Sequence, residues 1–388
     1  MTHYLVLGAG MQGTAAVHDL IRHGGATAIT WVERDAAQLE ASMRRIQELC
    51  TCPPMRGQRL DAGDRRALQP LFTEAQVCLN ALPYRFALGM TQLALEGRCH
   101  YLDLGGNTEI VREQLDMHRA HRSAAELCVL PDCGLMPGMG NVFLAYALQE
   151  LGDLASATVR CGGLPQDPRP PLGYTLLFSV AGLTNEYFGS ATVLRDGQRA
   201  EVRTFTGLEE LELPGVGRCE AFITSGGLST SPWSFAGRIG SLDYKTVRYP
   251  GHHAKFEVLL ELGLLDEDPV LVDGQRIVPR HLLHERLERA LKTEDHRDLV
   301  VLRCTAVAKA GKSKAAPRQL VIDVVDRYDE ATGFTAMERT TAYSAAACAA
   351  MVAKGEIAPG PRPLEQAVDP KAFVKALIRR GIDVTLDG

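Results

Sequence analysis

The stretch HYLVLGAGMQG (residues 3 to 13) constrains this chain more than any other. It sets three glycines at GxGxxG spacing between a short apolar run and a helix-forming segment. Gly8 permits a tight turn, Gly10 lets backbone approach a bulky anion, and Gly13 allows a helix to pack close on a strand. The helix opening at Met11-Gln12-Gly13 offers unsatisfied N–H groups at its N-terminus, a ready seat for a pyrophosphate. The next apolar run ends in Trp31-Val32-Glu33. A carboxylate at that distance from the glycines can accept hydrogen bonds from both hydroxyls of an adenosine ribose. Together these features predict a dinucleotide-binding domain, with Glu33 pointing to NAD. Arg34 follows directly and can instead pair with a 2′-phosphate, which leaves NADP open.

Residues 1 to 132 repeat this rhythm. Short apolar runs at 4 to 7, 28 to 33, 57 to 60, 77 to 80, 99 to 103 and 127 to 131 alternate with helical stretches at 12 to 23, 36 to 49, 64 to 73, 85 to 97 and 109 to 125. Six strands with five crossovers make a complete α/β Rossmann domain with a parallel sheet. The rhythm breaks at PDCGLMPGMGN (131 to 141). Beyond it, extended segments at 156 to 162, 173 to 179, 191 to 203, 218 to 224, 299 to 309 and 318 to 328 predict a second α+β domain over 133 to 339 with a mainly antiparallel sheet. Asp196-Gly197 marks a hairpin, because both residues accept positive φ. Helices are expected near 252 to 263 and 279 to 292, and again over 340 to 354 and 370 to 380. AKAGKSKAAP (308 to 317) reads as a solvated loop.

Composition narrows the function. The chain of 388 residues is too long for one core, and its net charge of -5 with no basic run argues against nucleic acid or an anionic membrane surface as partner. Ten scattered cysteines form no CxxC pair and read as reduced core residues of a cytoplasmic protein. No secretory signal and no membrane-length apolar run is visible. His281 and His284 share a helical face near His252 and His253, yet no HExxH or cysteine pair accompanies them, so no metal is expected. A small-molecule substrate fits best, and a two-domain chain of this kind is expected to form a homodimer or higher oligomer.

Asn80-Ala81-Leu82-Pro83 follows the fourth strand, where a loop runs beside the dinucleotide or simply turns the chain. Asp103 ends the fifth strand, at the carboxyl edge where ligands gather in open α/β sheets, and is a candidate acid or base. It can equally serve as a cap or turn residue. Asp132 opens the crossing into the second domain, and either handles a proton or ties down the hinge. Asn141 suits a helix N-cap. His252 has the residue type for proton transfer near neutrality, or belongs to a helix-start pair.

CGGLPQDPRPPLGY (161 to 174), FSVAGLTNEYFGSATVLRDG (178 to 197), CEAFITSGGL (219 to 228) and VRYPGHHAKFEVLLELGLL (247 to 265) resemble the saccharopine dehydrogenase-like family, its lysine 6-dehydrogenase branch in particular. LGAGMQG, YLDLGGN, PDCGLMPGMGN and MERTTAYSAA agree, so the likeness runs over nearly the whole chain. The resemblance implies NAD(P)-linked oxidation, or the reverse, at an amine-bearing carbon of an amino acid. In that branch the ε-amine of L-lysine is oxidatively deaminated; siblings act on saccharopine or carboxynorspermidine. A non-catalytic NAD-binding homologue is the third reading. The resemblance also implies that 340 to 388 packs back on the first domain, and that Tyr174, Asn185 and Glu186 belong to the substrate wall. Arg248, in a family-like setting, is the candidate fork for a substrate α-carboxylate. The loop from 203 to 218 does not match.

Overall fold

The computed structural model describes residues 2 to 388 apart from 122–123, 177–179, 294 and 311–317. The first lobe runs β1 (Thr2–Leu7), α1 (Met11–Arg22), β2 (Ala26–Glu33), α2 (Ala36–Leu49), β3 (Met55–Arg59), α3 (Arg65–Glu74), β4 (Val77–Asn80), α4 (Ala87–Gly97), β5 (His100–Asp103), α5 (Thr108–Ala120) and β6 (Val129–Leu130). Its central strands β1, β4 and β5 are short and mostly buried, as in a sheet covered on both faces, while β3 at the edge buries no residue. They pair in parallel in the order β3-β2-β1-β4-β5-β6. The winding order, not the strand direction, reverses between β1 and β4, so their carboxyl ends flank the crevice where such sheets bind ligands. The helices between them start on polar caps: Asp35, Asp64 and Asn107 each accept a backbone N–H of the following turn. The expected helix from 85 begins instead as a 3-10 turn, Tyr84–Phe86, and that from 109 ends at Ala120, with 122–123 outside the described residues.

The second lobe begins with α6 (Met139–Leu151) and β7 (Leu154–Pro165), then α7 (Val180–Asn185), β8 (Ser190–Arg195), β9 (Gln198–Arg203), β10 (Glu209–Leu213), β11 (Gly217–Ile223) and α8 (Ser231–Ser234). It continues through β12 (Ile239–Arg248), α9 (His252–Glu261), β13 (Val270–Val272), β14 (Gln275–Ile277), α10 (Pro279–Leu291), β15 (Asp298–Ala308) and β16 (Gln319–Arg327). The chain closes with α11 (Ala336–Ala353), α12 (Leu364–Ala367), α13 (Pro370–Ile378) and β17 (Val384–Asp387). The large sheet has the order β10-β11-β12-β7-β15-β16-β17, with the β8–β9 hairpin joined through β8 to β12. Asp196 (φ 51°) and Gly197 (φ 74°) turn that hairpin, pairing Arg195 with Gln198. Its pairings are antiparallel except one, because β12 lies parallel to β7 and makes the sheet mixed. No strand forms over 173–176, and 177–179 lie outside the described residues, as does most of the 308 to 317 segment. Asn141 sits inside the first turn of α6, after a cap at Gly138, and its amide donates to Leu228 O (2.8 Å) and Ser231 Oγ (2.6 Å).

After β16 the chain returns to the first lobe. The alanine-rich α11 packs on α1, where small side chains permit close approach, and one apolar cluster runs through both lobes. Gln12 Nε2 donates to Met337 O (3.3 Å), and His18 Nδ1 lies 3.2 Å from the Tyr343 hydroxyl. Beyond α13, Arg380 Nε reaches Asp19 Oδ2 at 2.8 Å in an ion pair closed to solvent. β17 then rejoins the second sheet beside β16. Among the described residues, no helix is long and apolar enough to cross a membrane.

Candidate active site between the lobes

At the carboxyl end of β1 the chain turns through Gly8, whose φ is +94°. A Cβ on Gly13 would stand 2.0 Å from Gly8 O, so the first turn of α1 sits flush against this loop. A Cβ on Gly10 would meet nothing within 4 Å. Tight closure at Gly13 and open space over Gly10 are what a pyrophosphate crossing the loop requires. Gly8 and Gly10 line a cleft of about 270 Å³ with Glu33, Arg34, Ala81, Leu82 and Pro83. The chain thus builds a cradle that fits a dinucleotide. Asn80 does not reach into it: the buried amide donates to the Tyr101 hydroxyl (2.8 Å) and accepts from Leu82 N (3.1 Å), which shapes the loop. Met11 is exposed, and the Gln12 side chain turns toward α11.

Glu33 is already engaged. Its carboxylate accepts from Ala9 N (3.0 Å), Arg34 N (2.8 Å) and Asp35 N (3.1 Å), tying the glycine turn to the end of β2. A carboxylate has about four acceptor positions, so roughly one is left for a ribose hydroxyl. Arg34 and Arg59 line an adjoining open hollow with Asp61.

A larger cavity of about 600 Å³ opens between the lobes. The first lobe contributes Tyr84 and the segment from Gly106 to Arg112; the second contributes residues of α7, β8, β9 and the turn after β11. Asp103 lies beneath this wall, 4 % exposed, with both oxygens occupied. They accept from Tyr101 Oη (3.0 Å), Gln114 Nε2 (2.7 Å), Gly105 N (2.9 Å) and Asp132 N (3.2 Å). Burial raises its carboxyl above the usual range, and these donors restrain the rise.

Asp132 is held at φ 62° and buried, with Oδ2 accepting from Ser229 Oγ at 2.5 Å. Its Oδ1 has no partner among the described residues. A Cβ on Gly105 would fall 1.9 Å from that oxygen, so only glycine leaves room for the carboxyl. Burial pushes Asp132 well above the ordinary carboxyl range, Ser229 pulls it back, and the Asp103 and Glu365 charges add to the rise. Burial thus favours the protonated form of Asp132, and Ser229, its partner, lines the cavity.

The remaining candidates gather elsewhere. Arg248, 2 % exposed, sits 4.9 Å from the Tyr174 ring centroid and donates through Nε to Tyr187 Oη (3.1 Å). His252 Nε2 is 3.0 Å from the same hydroxyl, and its Nδ1 is 3.2 Å from Leu172 O. Burial, and then the Arg248 charge, hold this imidazole well below its usual pKa, so it stays neutral. Glu186 lies 4.0 Å from Arg248 Nη2, where desolvation raises its carboxyl to about 7 against the pull of the arginine. Tyr174, Arg248 and His252 thus form one buried knot behind the cavity, with the half-buried Glu186 at its edge, while Asn185 lines the cavity itself. Among the described residues no group of three or more His, Cys, Asp and Glu side chains has metal-site geometry.

The sequence reading passed over Tyr84, Arg112, Glu201, Ser229 and Trp233, which all line the cavity. Tyr84 had a signal, since it follows Pro83 directly. The others come from separate segments that only the fold brings together.

Comparison with known proteins agrees with this architecture. Residues 4–129 match the family model for the saccharopine dehydrogenase NADP binding domain, and residues 134–382 match that for the saccharopine dehydrogenase C-terminal domain. The chain is 23 % identical over 277 residues to saccharopine dehydrogenase [NADP(+), L-glutamate-forming] of Schizosaccharomyces pombe, covering 69 % of this chain and 59 % of the relative. It is 23 % identical over 254 residues to the enzyme of the same name from Saccharomyces cerevisiae, covering 62 % and 55 %. The chain therefore spans little more than half the length of these relatives. The solved apo structure of saccharopine dehydrogenase (L-Glu forming) from Saccharomyces cerevisiae superposes with a TM-score of 0.78 at 19 % identity, covering 100 % of this chain and 99 % of that one. A dinucleotide cradle at the turn after β1, a cavity between two lobes and family models over both lobes lead to one statement: the chain belongs to the saccharopine dehydrogenase family.

Proposed function

We propose that this protein is an NAD(P)-dependent oxidoreductase acting at the carbon that bears the ε-nitrogen of a lysine-derived amino acid, in the cavity between the lobes. The observation that carries the reading is the juxtaposition of the glycine cradle with a cavity of about 600 Å³ whose wall includes Ser229, the hydrogen-bond partner of the buried Asp132 behind it. Cavities of roughly 300–1,000 Å³ suit substrates of this size. When bound, the dinucleotide accepts a hydride from that carbon or returns it. In the oxidative direction the carbon loses a hydride and its nitrogen a proton; water then splits the imine into an aldehyde and an amine.

The chain's own part is to position and to move the proton. Asp132, holding a proton at its carboxyl, gives it through Ser229 Oγ to a substrate nitrogen during reduction and takes one back, once ionised, during oxidation. Asp103 acts one step behind, since its carboxylate holds the Asp132 N–H and fixes the turn that presents Asp132. The knot of Tyr174, Arg248 and His252, with Glu186 at its edge, stiffens the rear wall.

The free ε-amine of L-lysine is the first substrate, supported by the motif likeness from 161 to 265. Saccharopine is the second, supported by the name that both relatives carry. Cleaving saccharopine to glutamate oxidises the same lysine-derived carbon, so one site geometry serves either. Both cofactors have support at the rim: Glu33 keeps an acceptor for the ribose of NAD, and Arg34 with Arg59 offers charge to the 2′-phosphate of NADP. The test is absorbance at 340 nm with L-lysine and with L-saccharopine, each with NAD and NADP. Cofactor binding without turnover of either substrate would refute the reading.

A further inference from the structure

Beside Glu109, the cavity wall carries two opposite charges, Arg112 and Glu201, that the chain leaves unpaired with each other. Arg112, on the second turn of α5 in the first lobe, lines the cavity with its guanidinium 5.2 Å from the Trp233 ring centroid. It makes no ion pair among the described residues. Arg199 stands 5.0 Å from the same ring, so the indole already carries two guanidinium neighbours. Facing it from the second lobe, Glu201 on β9 lines the same cavity. Its Oε2 accepts from Ser190 Oγ and its Oε1 from Thr192 Oγ1, both at 2.6 Å. Those two hydroxyls hold the Glu201 carboxyl below the ordinary range and fix its direction, so it stays ionised. Arg112, Thr192, Glu201 and Trp233 also line a second, shallower hollow.

A fixed anion and an unpaired cation, on opposite lobes and not joined by an ion pair, match a ligand that carries both charges on one carbon. We infer that Arg112 and Glu201 form the receptor for an α-amino-acid head group, Arg112 taking the carboxylate and Glu201 the ammonium, with Trp233 as its floor. The planar fork of arginine binds a carboxylate through two parallel hydrogen bonds, and a carboxylate whose other lone pairs are occupied is a sharp acceptor for an ammonium. Because the two halves belong to different lobes, a bound head group also spans the crevice and aims the side chain inward, toward Ser229. This assignment rests on the amino-acid reading above and adds the residues that select for it. Neither residue sits in the buried knot around Arg248, which has no place in the cavity lining.

The experiment compares four probes on cofactor-loaded protein: L-lysine, 1,5-diaminopentane, Nα-acetyl-L-lysine and L-saccharopine. Calorimetry gives Kd without turnover, and absorbance at 340 nm gives KM. R112A is expected to weaken L-lysine and L-saccharopine at least tenfold and to change 1,5-diaminopentane, which lacks the carboxylate, less than twofold. E201Q is expected to weaken L-lysine at least fivefold and Nα-acetyl-L-lysine less than twofold. E109Q, at the other carboxylate of the cavity lining one turn before Arg112, tests the rival anion, and E113Q, outside that lining on α5, is the matched charge control that should change none of them more than twofold. All four positions are exposed, so melting temperatures should stay near wild type. Equal losses for L-lysine and 1,5-diaminopentane in R112A overturn the carboxylate assignment, and an effect in E109Q in place of E201Q overturns the ammonium assignment. Wild-type binding of amino acids without turnover sinks the catalytic reading and spares the receptor. No binding of L-lysine or L-saccharopine to loaded wild-type protein sinks the receptor itself.

Discussion

Adding one methyl group at Gly10 and one at Gly13 separates building the glycine turn from using it. At Gly10 the backbone is extended (φ -72°, ψ -167°), a conformation alanine adopts freely, and the new Cβ meets no atom within 4 Å. A less favourable helix cap and a less flexible unfolded chain pull in opposite directions, each by about 0.5–1 kcal/mol. G10A should therefore melt within roughly 2 °C of wild type. At Gly13 the Cβ would stand 2.0 Å from Gly8 O, and it must retreat by about 1 Å to escape overlap with backbone that has no rotamer to change. Overpacking of that kind costs about 1–3 kcal/mol, so G13A should melt several degrees lower. Cofactor binding should reverse the emphasis. The Gly10 methyl occupies the space where a pyrophosphate would approach the first N–H groups of α1, and losing charge-assisted contacts worth about 1.5–3 kcal/mol means a roughly 10- to 150-fold higher Kd. Dye-based melting and fluorescence titration with NADPH and NADH measure both halves. G10A protein that binds both cofactors with wild-type affinity would refute the placement of the dinucleotide over this turn.

Other outcomes follow from the same geometry. D132N should lower kcat about 100-fold and leave cofactor Kd within twofold, in line with loss of a proton-transfer group; kcat within threefold of wild type removes Asp132 from the chemistry. R380A strands the Asp19 carboxylate, 0 % exposed, without its partner and should cost about 3–5 kcal/mol in denaturant unfolding, whereas an unchanged midpoint contradicts the buried pair. Asp298 caps α11 by accepting from Ala336 N (2.6 Å) and Met337 N (2.9 Å), and burial raises its carboxyl to about 6. A carboxyl raised in the native state binds more protons folded than unfolded between about pH 4 and 6, so its contribution falls as pH rises through that window, by at most about 3 kcal/mol. The stability difference between wild type and D298N should shrink over that range; a difference that grows with pH reverses the assignment.

What the sequence disclosed, and what it hid, divides along the range of the interactions. The glycine turn was legible because Gly8, Gly10 and Gly13 act within six residues of one another, and the β8–β9 hairpin because Asp196 and Gly197 settle its turn locally. The parallel pairing of β7 with β12 was not legible, since nothing near Val159 says that Tyr244 will lie beside it. β10 carries a visible alternation, EELEL, but sits in the segment without family likeness, where a search for motifs overlooks periodicity. The site shows the same division. Asp103 and Asp132 were found from their places after strands, yet which of them connects to the cavity depended on Ser229, almost a hundred residues away. Arg248 and His252 looked exposed to substrate because residue type and motif suggested chemistry; the apolar cluster around Tyr187, Phe222 and Phe256 buries them, and no local pattern announces that. Arg112, Glu201 and Trp233 stand in unremarkable local sequence and acquire meaning only when two lobes face each other.

The return of α11 to α1 has a consequence for how such a protein comes into being. The turn that forms the dinucleotide cradle leads into α1, and a flank of α1 is covered by residues made much later, from Met337 to Arg380. During synthesis the first lobe must wait, with an apolar helix face and the Asp19 carboxylate uncovered, until some two hundred further residues have emerged. A fragment ending at the hinge should therefore bind cofactor poorly however complete its sheet, and supplying the segment from α11 to Arg380 in trans should restore it.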